Sequence, residues 1–406
     1  MSSVFVQLQE PPRRRHPGKG LALWDLGFRP FYLLAATLAL LSIPLWALQF
    51  SGLLGEGFLR GPTWHAHEMV FGYALAIVIG FLFTAGRNWS GQPTPTGRPL
   101  MALALLWVLA RVLVLVPVGP WVWASMAVNV AVPWAAAWGL WRALRAGNNR
   151  RNYFFVLLLL AMGLATGALH LNLLGHLSLP AALGQGLGLP LALDVLLFMI
   201  AIMAGRVVPM FSNNGVPGMN AQRAPRVEQA ALGSVLLLGA CDAVGLSGPL
   251  LLLALLPALV AHGWRWLLWQ PWKTLRNPLV WVLHAAYAWL LVHLALRAAA
   301  ALHWLPASPA THALTVGVIG MMTLGMITRT ALGHTGRALK AGPIETGAYL
   351  ALLLAGLLRV FLPLMLPATT MLAVGVSAGL WALAFALYLW RYVPLLLRPR
   401  VDGLPG

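Results

Sequence analysis

Two histidines stand one residue apart at the start of an apolar segment, in the run Trp64-His65-Ala66-His67-Glu68-Met69. Ionisable side chains are costly inside a lipid bilayer and usually occur there for function. Imidazole is the commonest metal ligand among side chains and suits both heme iron and copper. The pair therefore predicts a metal site inside a membrane protein.

The spacing of this pair limits how it can bind. Residues i and i+2 of an α-helix project about 200° apart, so His65 and His67 cannot face one metal unless the first turn is unwound. Either they serve two centres, or one is a ligand and the other packs or supports it. Glu68 lies three residues after His65 on the same face, where it can orient that imidazole or carry protons.

The composition indicates which elements position these residues. The 406 residues are 60% hydrophobic and 9% charged, with a mean hydropathy of +0.79, whereas soluble domains carry about 25% charged residues. This predicts an all-α, polytopic membrane helix bundle. The single cysteine, Cys241, excludes an intramolecular disulfide and Cys-ligated iron–sulfur clusters. The net charge of +18 indicates basic cytoplasmic loops, so no nucleic-acid partner is expected.

Twelve apolar stretches come near the roughly 20 residues that a crossing helix needs. All but four of the 27 Lys and Arg fall on one side if the N-terminus is inside, which predicts that both termini are cytoplasmic. The first stretch is expected to be retained, not cleaved as a signal peptide. The expected domains are a basic tail over 1–27, a transmembrane domain over 28–396 and a cytoplasmic tail over 397–406. The stretches cover about 31–50, 64–86, 100–117, 120–142, 153–175, 185–211, 228–246, 248–269, 278–300, 307–331, 343–365 and 370–396.

This topology sorts the histidines of the spans into two layers, which predicts two sites or one elongated site. The outer layer comprises His65, His67, His170, His176, His303 and His312, with His293 somewhat deeper. The inner layer comprises His262, His284 and His334. Tyr287 lies one turn after His284 and shares its face. A lone membrane histidine is also often only an interhelical hydrogen-bonding group, and this alternative stays open for His262, His293, His303 and His176.

Four polar residues in or just after the apolar stretches each have two interpretations. Arg206, Arg329 and Arg337 follow the sixth and tenth stretches, where they suit the two carboxylates of a bound heme or are ordinary basic residues of cytoplasmic loops. Asp194, inside the sixth stretch, is either a buried partner of an Arg or His or a proton relay.

A series of motifs in one order resembles the NnrS family over about residues 28–340. The resemblance implies a multi-pass protein of the bacterial inner membrane that binds heme and copper and accompanies nitric oxide metabolism and nitrosative stress. The motifs are Phe28-Arg29-Pro30-Phe31, Trp64 to Met69, Gly205-Arg206 with Pro209-Met210-Phe211, Pro278 to His284 with Tyr287, His312 to Gly317, and Leu332 to Arg337.

The chain has no Cys-x-x-Cys-His, so a heme would be of the b type. His67 and His312 are predicted as a shared axial pair because they lie at similar depth, and His65 and His170 are further cofactor-binding candidates of that layer. His284, His334 and His262 are predicted to hold copper or a second heme, because three imidazoles suit copper.

The predicted function is a heme and copper membrane protein that binds or turns over nitric oxide. Turnover would need protons, for which Glu68, Asp194 and Tyr287 are the candidates, and electrons from a quinol or another membrane donor. The lipid bilayer and nitric oxide are the other expected partners. The alternatives are a transporter of a metal, heme or metal–nitrosyl species, against which the lack of an internal repeat counts, and a sensor, against which the lack of a soluble signalling domain counts.

Overall fold

The computed structural model describes residues 20–55, 61–115, 121–175 and 187–404. Within these ranges the chain is helical and contains no strand. The predicted all-α membrane bundle is confirmed. His16, His176 and the basic residues before Gly20 lie outside the described residues.

Twelve long helices occupy the described ranges, and each overlaps one predicted stretch. Ten of them are long and apolar enough to cross a membrane, and α4 and α7 are the two that do not meet this measure. The number of crossings and the side of each terminus stay predictions. The helices are α1 Phe28–Phe50, α2 Gly61–Ser90, α3 Gly97–Leu115, α4 Trp121–Ala146, α5 Phe154–Leu173, α6 Leu189–Gly215, α7 Pro225–Ala243, α8 Leu252–Leu268, α9 Pro278–Ala301, α10 Ala307–His334, α11 Pro343–Met365 and α12 Thr370–Leu397.

Local chemistry fixes several helix ends. Proline occupies the first turn of α6, α7, α9 and α11, where its missing N–H needs no partner. Helix α2 ends at Gly91, whose φ of 64° is easy only for glycine and whose N–H bonds the carbonyl of Arg87.

Each helix packs against its chain neighbours, and α12 closes the bundle by packing on α1 and α11. Helices α2, α6, α9 and α10 are the most buried and form the centre. Small residues allow close approach, as where Gly163 of α5 faces Trp134 of α4. Gly163 and Gly167, four residues apart, therefore lie at the interface of α5 with α4.

Contacts define two ends of the bundle. At the basic end, Arg29 of α1 donates to the carbonyl of Leu396 in α12 at 2.8 Å, and Arg206 of α6 donates to Asn152, just before α5, at 2.9 Å. At the opposite end, the ring of Trp46 in α1 stacks on His65 in α2. Odd-numbered helices thus start, and even-numbered helices finish, at the basic end, which is the alternation that the charge pattern predicts.

Candidate functional site

Helices α2 and α10 each contain a π-helical segment that begins directly after a histidine. The segments are Glu68–Ala74, after His67, and Ala313–Gly320, after His312. Such segments are rare and occur frequently at functional sites. Both lie towards the end of the bundle opposite the basic end, at similar depth.

Glycines explain how these wide turns pack. Gly72 and Gly317 each follow the histidine of their segment by five residues. A Cβ at Gly72 would meet Arg111 at 2.9 Å, and one at Gly317 would overlap the indole of Trp289. The carbonyl of Gly72 accepts a hydrogen bond from Trp107 Nε1 at 3.2 Å. Only glycine leaves room for these neighbours.

His67 meets His170 of α5 inside the bundle. The two Nε2 atoms are 3.2 Å apart, and both side chains are buried. His67 Nδ1 lies 2.9 Å from Glu68 Oε1, so Nδ1–H donates to the carboxylate and Nε2 keeps its lone pair towards His170. His170 Nδ1 is buried with no hydrogen-bond partner among the described residues.

Glu68 is itself held by a chain of side chains from neighbouring helices. Arg111 Nη1 of α3 donates to Glu68 Oε1 at 2.7 Å, and Arg111 also donates to the side-chain oxygen of Asn129 in α4. Asn129 Nδ2 donates to the carbonyl of Ser125 at 2.9 Å. The charges of Glu68 and Arg111 compensate each other inside the bundle, so His67 is oriented by a fixed, neutralised carboxylate.

The geometry of His67 and His170 fits two ligands of a metal ion. Two nitrogen ligands at about 2.0 Å in tetrahedral geometry stand about 3.3 Å apart, close to the observed 3.2 Å. A carboxylate behind a ligating imidazole is the usual support of such a ligand. No group of three or more His, Cys, Asp or Glu converges within the described ranges. The protein here offers two imidazoles, and positions are left for other ligands.

The other face of α2 lines a cavity of about 320 Å³ that is closed by α1, α6, α10, α11 and α12. His65 and His312 both face this cavity, as does Arg359. Its walls are otherwise mostly apolar and include Trp46, Met69, Val70, Tyr73, Leu193, Val316, Ile319 and Trp381. Two imidazoles and one guanidinium in a mostly apolar cleft suit a ligand that has an apolar body, an anionic group and a place for nitrogen ligands.

Both cavity histidines can present a nitrogen to a ligand. His312 Nδ1 donates to the carbonyl of Ser308 at 2.8 Å, which leaves Nε2 as the acceptor. The His65 ring stacks on Trp46 with 4.3 Å between the centroids, and its buried Nδ1 has no partner in the described part of the chain.

Arg359 is a cation inside the bundle without an acidic partner in the described chain. It interacts electrostatically with His65 and His312 only as a like charge. A half-buried guanidinium without a counter-ion among the described residues favours an anionic group at this place. In the sequence Arg359 is one of the four basic residues that do not fall on the inner side, and no role was predicted for it.

The structure pairs the outer histidines differently from the sequence prediction. His67 meets His170, and His65 shares a cavity with His312, whereas the sequence predicted His67 with His312. Helix α2 lies between the two pairs. The i, i+2 spacing therefore corresponds to the alternative in which the two histidines serve two centres. Glu68 contacts the adjacent His67 because the π segment begins at Glu68.

The inner histidines do not form the predicted three-imidazole site. His262 Nδ1 accepts from the Tyr287 hydroxyl at 2.6 Å, and Tyr287 accepts from Arg265 at 3.1 Å. His284 Nε2 pairs with the hydroxyl of Ser212 at 2.8 Å. No cluster of three metal-ligating residues occurs in the described chain, so the structure does not bring the three imidazoles together, and their assignment to copper or a second heme stays a prediction. His262 and His284 each form a hydrogen bond with a different helix. Tyr287 donates to His262 and does not contact His284 by a hydrogen bond.

Arg265 lies in the same inner network. It forms a two-armed ion pair with Glu228 of α7, at 2.9 and 2.6 Å. This buried pair joins α7 to α8 and neutralises both charges.

His334 and Arg337 lie at the basic end, where the C-terminal segment docks. The His334 ring is 5.6 Å from that of Phe28, and Arg337 donates to the carbonyl of Thr335 at 3.4 Å. Asp402 accepts two bonds from Arg400, which lower the pKa of that carboxyl to about 2.

The other arginines predicted to hold heme carboxylates lie away from the cavity as well. Arg206 contacts Asn152 and the rings of Trp89 and Phe154, and the Arg329 guanidinium lies 3.8 Å from the centre of the Phe211 ring. The cavity of His65 and His312 is bordered by Arg359 instead.

Asp194 follows Leu193, a cavity residue, on α6. Its carboxyl interacts with that of Asp242 in α7, which forms an ion pair with Arg297 of α9. This arrangement favours the first predicted role of Asp194, a partner in a buried charge cluster.

A family model described as NnrS protein matches residues 22–400, nearly the whole chain. The chain belongs to the NnrS family. No curated protein matches it. Membership and the apolar helices make it a multi-pass membrane protein linked to nitric oxide responses.

In this NnrS-family protein four of the six motifs of the resemblance meet in pairs. The Trp64 to Met69 and His312 to Gly317 motifs overlap the starts of the two π segments. The Phe28 to Phe31 and Leu332 to Arg337 motifs meet at the basic end. The first pair therefore contributes to the candidate site, and the second pair joins helix ends.

Proposed function

We propose that this protein binds nitric oxide at two metal groups that flank α2, a heme b in the cavity of His65 and His312 and a copper ion between His67 and His170, and so protects the cell against nitrosative stress. The observation that carries the proposal is the pair of imidazole pairs on opposite faces of one helix, at one depth. The spacing of His65 and His67 alone would not require two metal sites. The partners His170 and His312 make both pairs complete.

The cavity suits a heme in three respects. Its walls are mostly apolar, two imidazoles face it, and Arg359 is a half-buried cation that would hold a heme carboxylate. A heme there supplies an iron that binds small diatomic ligands and changes oxidation state. His312 is pre-oriented by the Ser308 carbonyl, and Trp46 supports the ring of His65.

The second pair suits copper because imidazole is a good ligand for that ion. His67 Nε2 and His170 Nε2 would hold it, with Glu68 and Arg111 fixing the ring of His67. A copper ion there supplies a second redox-active centre with open positions. Nitric oxide is small and apolar, so it can reach this buried region from the bilayer without a polar channel.

Metal analysis, a visible spectrum and a nitric oxide titration of anaerobically purified protein test the proposal. We expect one b-type Soret band and stoichiometric iron and copper. His65→Ala and His312→Ala should each shift or bleach the Soret band and keep copper, and His67→Ala and His170→Ala should lose copper and keep heme. His303→Ala, at an exposed loop position, is the matched control. Heme retained unchanged in both cavity variants, or copper retained in both others, would exclude the assignment.

A nitric oxide electrode separates binding from consumption. If, with a reductant present, more moles of nitric oxide disappear than the protein holds moles of metal, the protein is an oxidoreductase. Loss that stops at stoichiometric binding makes it a binder that keeps nitric oxide from other iron centres.

A further inference from the structure

Five of the seven tyrosines lie in one region of the bundle, between the cavity and the basic end. All five rings are buried, at 2% exposure or less. Three threonines of α10 lie among them. We call this set the hydroxyl column, and its members are Tyr32, Tyr73, Thr323, Thr328, Thr330, Tyr349, Tyr388 and Tyr392.

The upper end of the hydroxyl column reaches the cavity. Tyr73 lines the cavity together with His65 and His312, and its hydroxyl lies 2.6 Å from Thr323 Oγ1. Thr323 donates its own proton to the carbonyl of Ile319, so the phenol is the donor to Thr323. Thr323 lies eleven residues before the end of α10, about 16 Å from the basic end.

The lower end of the hydroxyl column is a buried carboxylate at the basic end. Tyr392 donates to Glu345 Oε1 at 3.0 Å, and the ring of Tyr388 stacks on that of Tyr392 with 4.6 Å between centroids. Glu345 lies in the first turn of α11 and is 5% exposed. Its other oxygen accepts the N–H of Gly342 at 2.8 Å, and Arg391 approaches Oε1 at 3.4 Å.

The middle of the hydroxyl column consists of phenols that complete no hydrogen bond. The hydroxyls of Tyr32, Tyr349 and Tyr388 are buried without a partner that meets hydrogen-bond geometry in the described chain. Thr330 and Thr328 come near Tyr32 and Tyr349, respectively. Tyr388 interacts with Tyr32, Tyr349 and Tyr73, so the phenols form one group.

Packing alone does not account for these hydroxyls. Polar groups that hold membrane helices together form hydrogen bonds across the interface. Phenylalanine would fill the same volume without a buried, unpartnered oxygen, which is destabilising. Such groups in a native structure call for a functional explanation. Tyrosine and threonine hydroxyls both donate and accept, which is what proton transfer along a chain needs.

We propose that the hydroxyl column carries protons between Glu345 at the basic end and the cavity of His65 and His312. Phe385 of α12 contacts the ring of Tyr73 and carries no hydroxyl, so a proton would pass between Tyr73 and Tyr388 by way of the threonines of α10, of which Thr323 contacts Tyr73. A one-electron donor, quinol-type or artificial, that reduces a group bound in the cavity would add one negative charge there, and one proton taken from water at Glu345 and passed along the column to the cavity would balance it. The inference rests on the proposed function only for the place where the protons are used, which is the cavity of His65 and His312.

The charged groups around Glu345 set its role as the entry. Arg391 of α12 approaches it, and Tyr392 donates to it. Arg329 of α10 interacts with Tyr349, one turn along α11 from Glu345. Among the described residues these two arginines are cations near this lower end, where Glu345 is the carboxyl group.

Proton uptake by the metal-loaded full chain in vesicles tests the hydroxyl column. A pH-sensitive dye reports protons while dithionite reduces the protein in a stopped-flow mixer. We expect about one proton per electron, with Glu345→Gln and Tyr388→Phe slowed at least tenfold while metal content and nitric oxide binding are unchanged. Tyr153→Phe, at the basic end but outside the column, is the control and should match the wild type. Unchanged rates in both column variants would overturn the proposal.

A second measurement does not depend on metals. Infrared spectra of protein with ring-labelled tyrosine follow the exchange of phenol protons after a jump into D₂O. Exchange slowed at least tenfold by Glu345→Gln supports the hydroxyl column, and equal exchange overturns it. Failure of the wild type to hold heme or bind nitric oxide would overturn the proposed function alone, because this exchange still decides the proton route.

Discussion

Glu68 shows how one residue takes its role from its neighbours. Its carboxylate accepts from His67 Nδ1 and from Arg111, so it has a charged partner and an imidazole to orient. From the sequence it was a candidate proton carrier beside His65. In the structure it faces the other histidine, because the π segment begins at Glu68. Its contacts favour the support of a metal ligand over the transport of protons.

Glu68→Gln should lower copper affinity by about 10- to 100-fold, the usual effect of losing a carboxylate behind a ligating imidazole. The heme spectrum should be kept, because His65 and His312 do not touch Glu68. Arg111 would lose its buried counter-ion, which typically costs about 3–5 kcal/mol. Copper titration and thermal unfolding measure the two effects.

The double variant Glu68→Gln/Arg111→Gln is the matched control. It removes the unpaired charge and should recover much of the stability but not the copper affinity. If Glu68→Gln instead abolishes nitric oxide consumption while copper affinity and heme stay unchanged, Glu68 is a proton carrier as the sequence suggested.

At the scale of elements, the two π segments set the site. Each segment widens a central helix directly after a histidine, and each carries a glycine that admits a neighbour. The hydropathy of the stretches predicted where the helices run, because crossing length and polarity are local properties. The π segments were not predicted, because their side-chain pattern differs from that of an α-helix by one residue per turn.

Gly317→Ala should destabilise the protein, because its methyl group would overlap the indole of Trp289. Overpacking of this kind costs about 1–3 kcal/mol. The shift should also move the π segment that starts after His312, so the Soret band should change. Gly375→Ala, at a helix position with open space, is the control. Equal melting temperatures for the two variants would contradict the packing argument.

At the scale of the whole molecule, what the sequence could not predict is which distant residues meet. His67 and His170 are 103 positions apart. The sequence placed both in the outer layer but did not predict that they contact each other. Arg359 and the hydroxyl column were missed, because one arginine or tyrosine in an apolar helix carries no local signal. The inner histidines were placed at about the right depth, but depth does not say which helix faces which. Helix order and layer follow from local pattern, and pairing follows from packing.

The two ends of the bundle should behave independently, and the docked C-terminal segment provides a test. Gly336 has a φ of 74°, and a Cβ there would meet the carboxyl of Asp402 at 2.7 Å. Gly336→Ala should therefore lose about 1–2 kcal/mol from the left-handed backbone alone and more from displacing the segment. In an Asp402→Ala background the loss that comes from displacing the C-terminal segment should vanish, and the backbone loss should remain. Tryptophan fluorescence on heating measures both.

The ion pair of Asp402 and Arg400 adds a pH dependence whose sign follows from its lowered pKa. Because the folded pKa is about 2 and the unfolded value is about 3.9, the contribution is present above about pH 4 and is lost as pH falls towards 2. It should be small, because the carboxyl of Asp402 is exposed to solvent. Asp402→Ala should remove it and leave the Soret band and copper content unchanged, since the histidine pairs proposed to hold the metals lie at the opposite end. A Soret shift in Gly336→Ala or Asp402→Ala would mean that the two ends are coupled, and the bundle would then have to be treated as one switching unit.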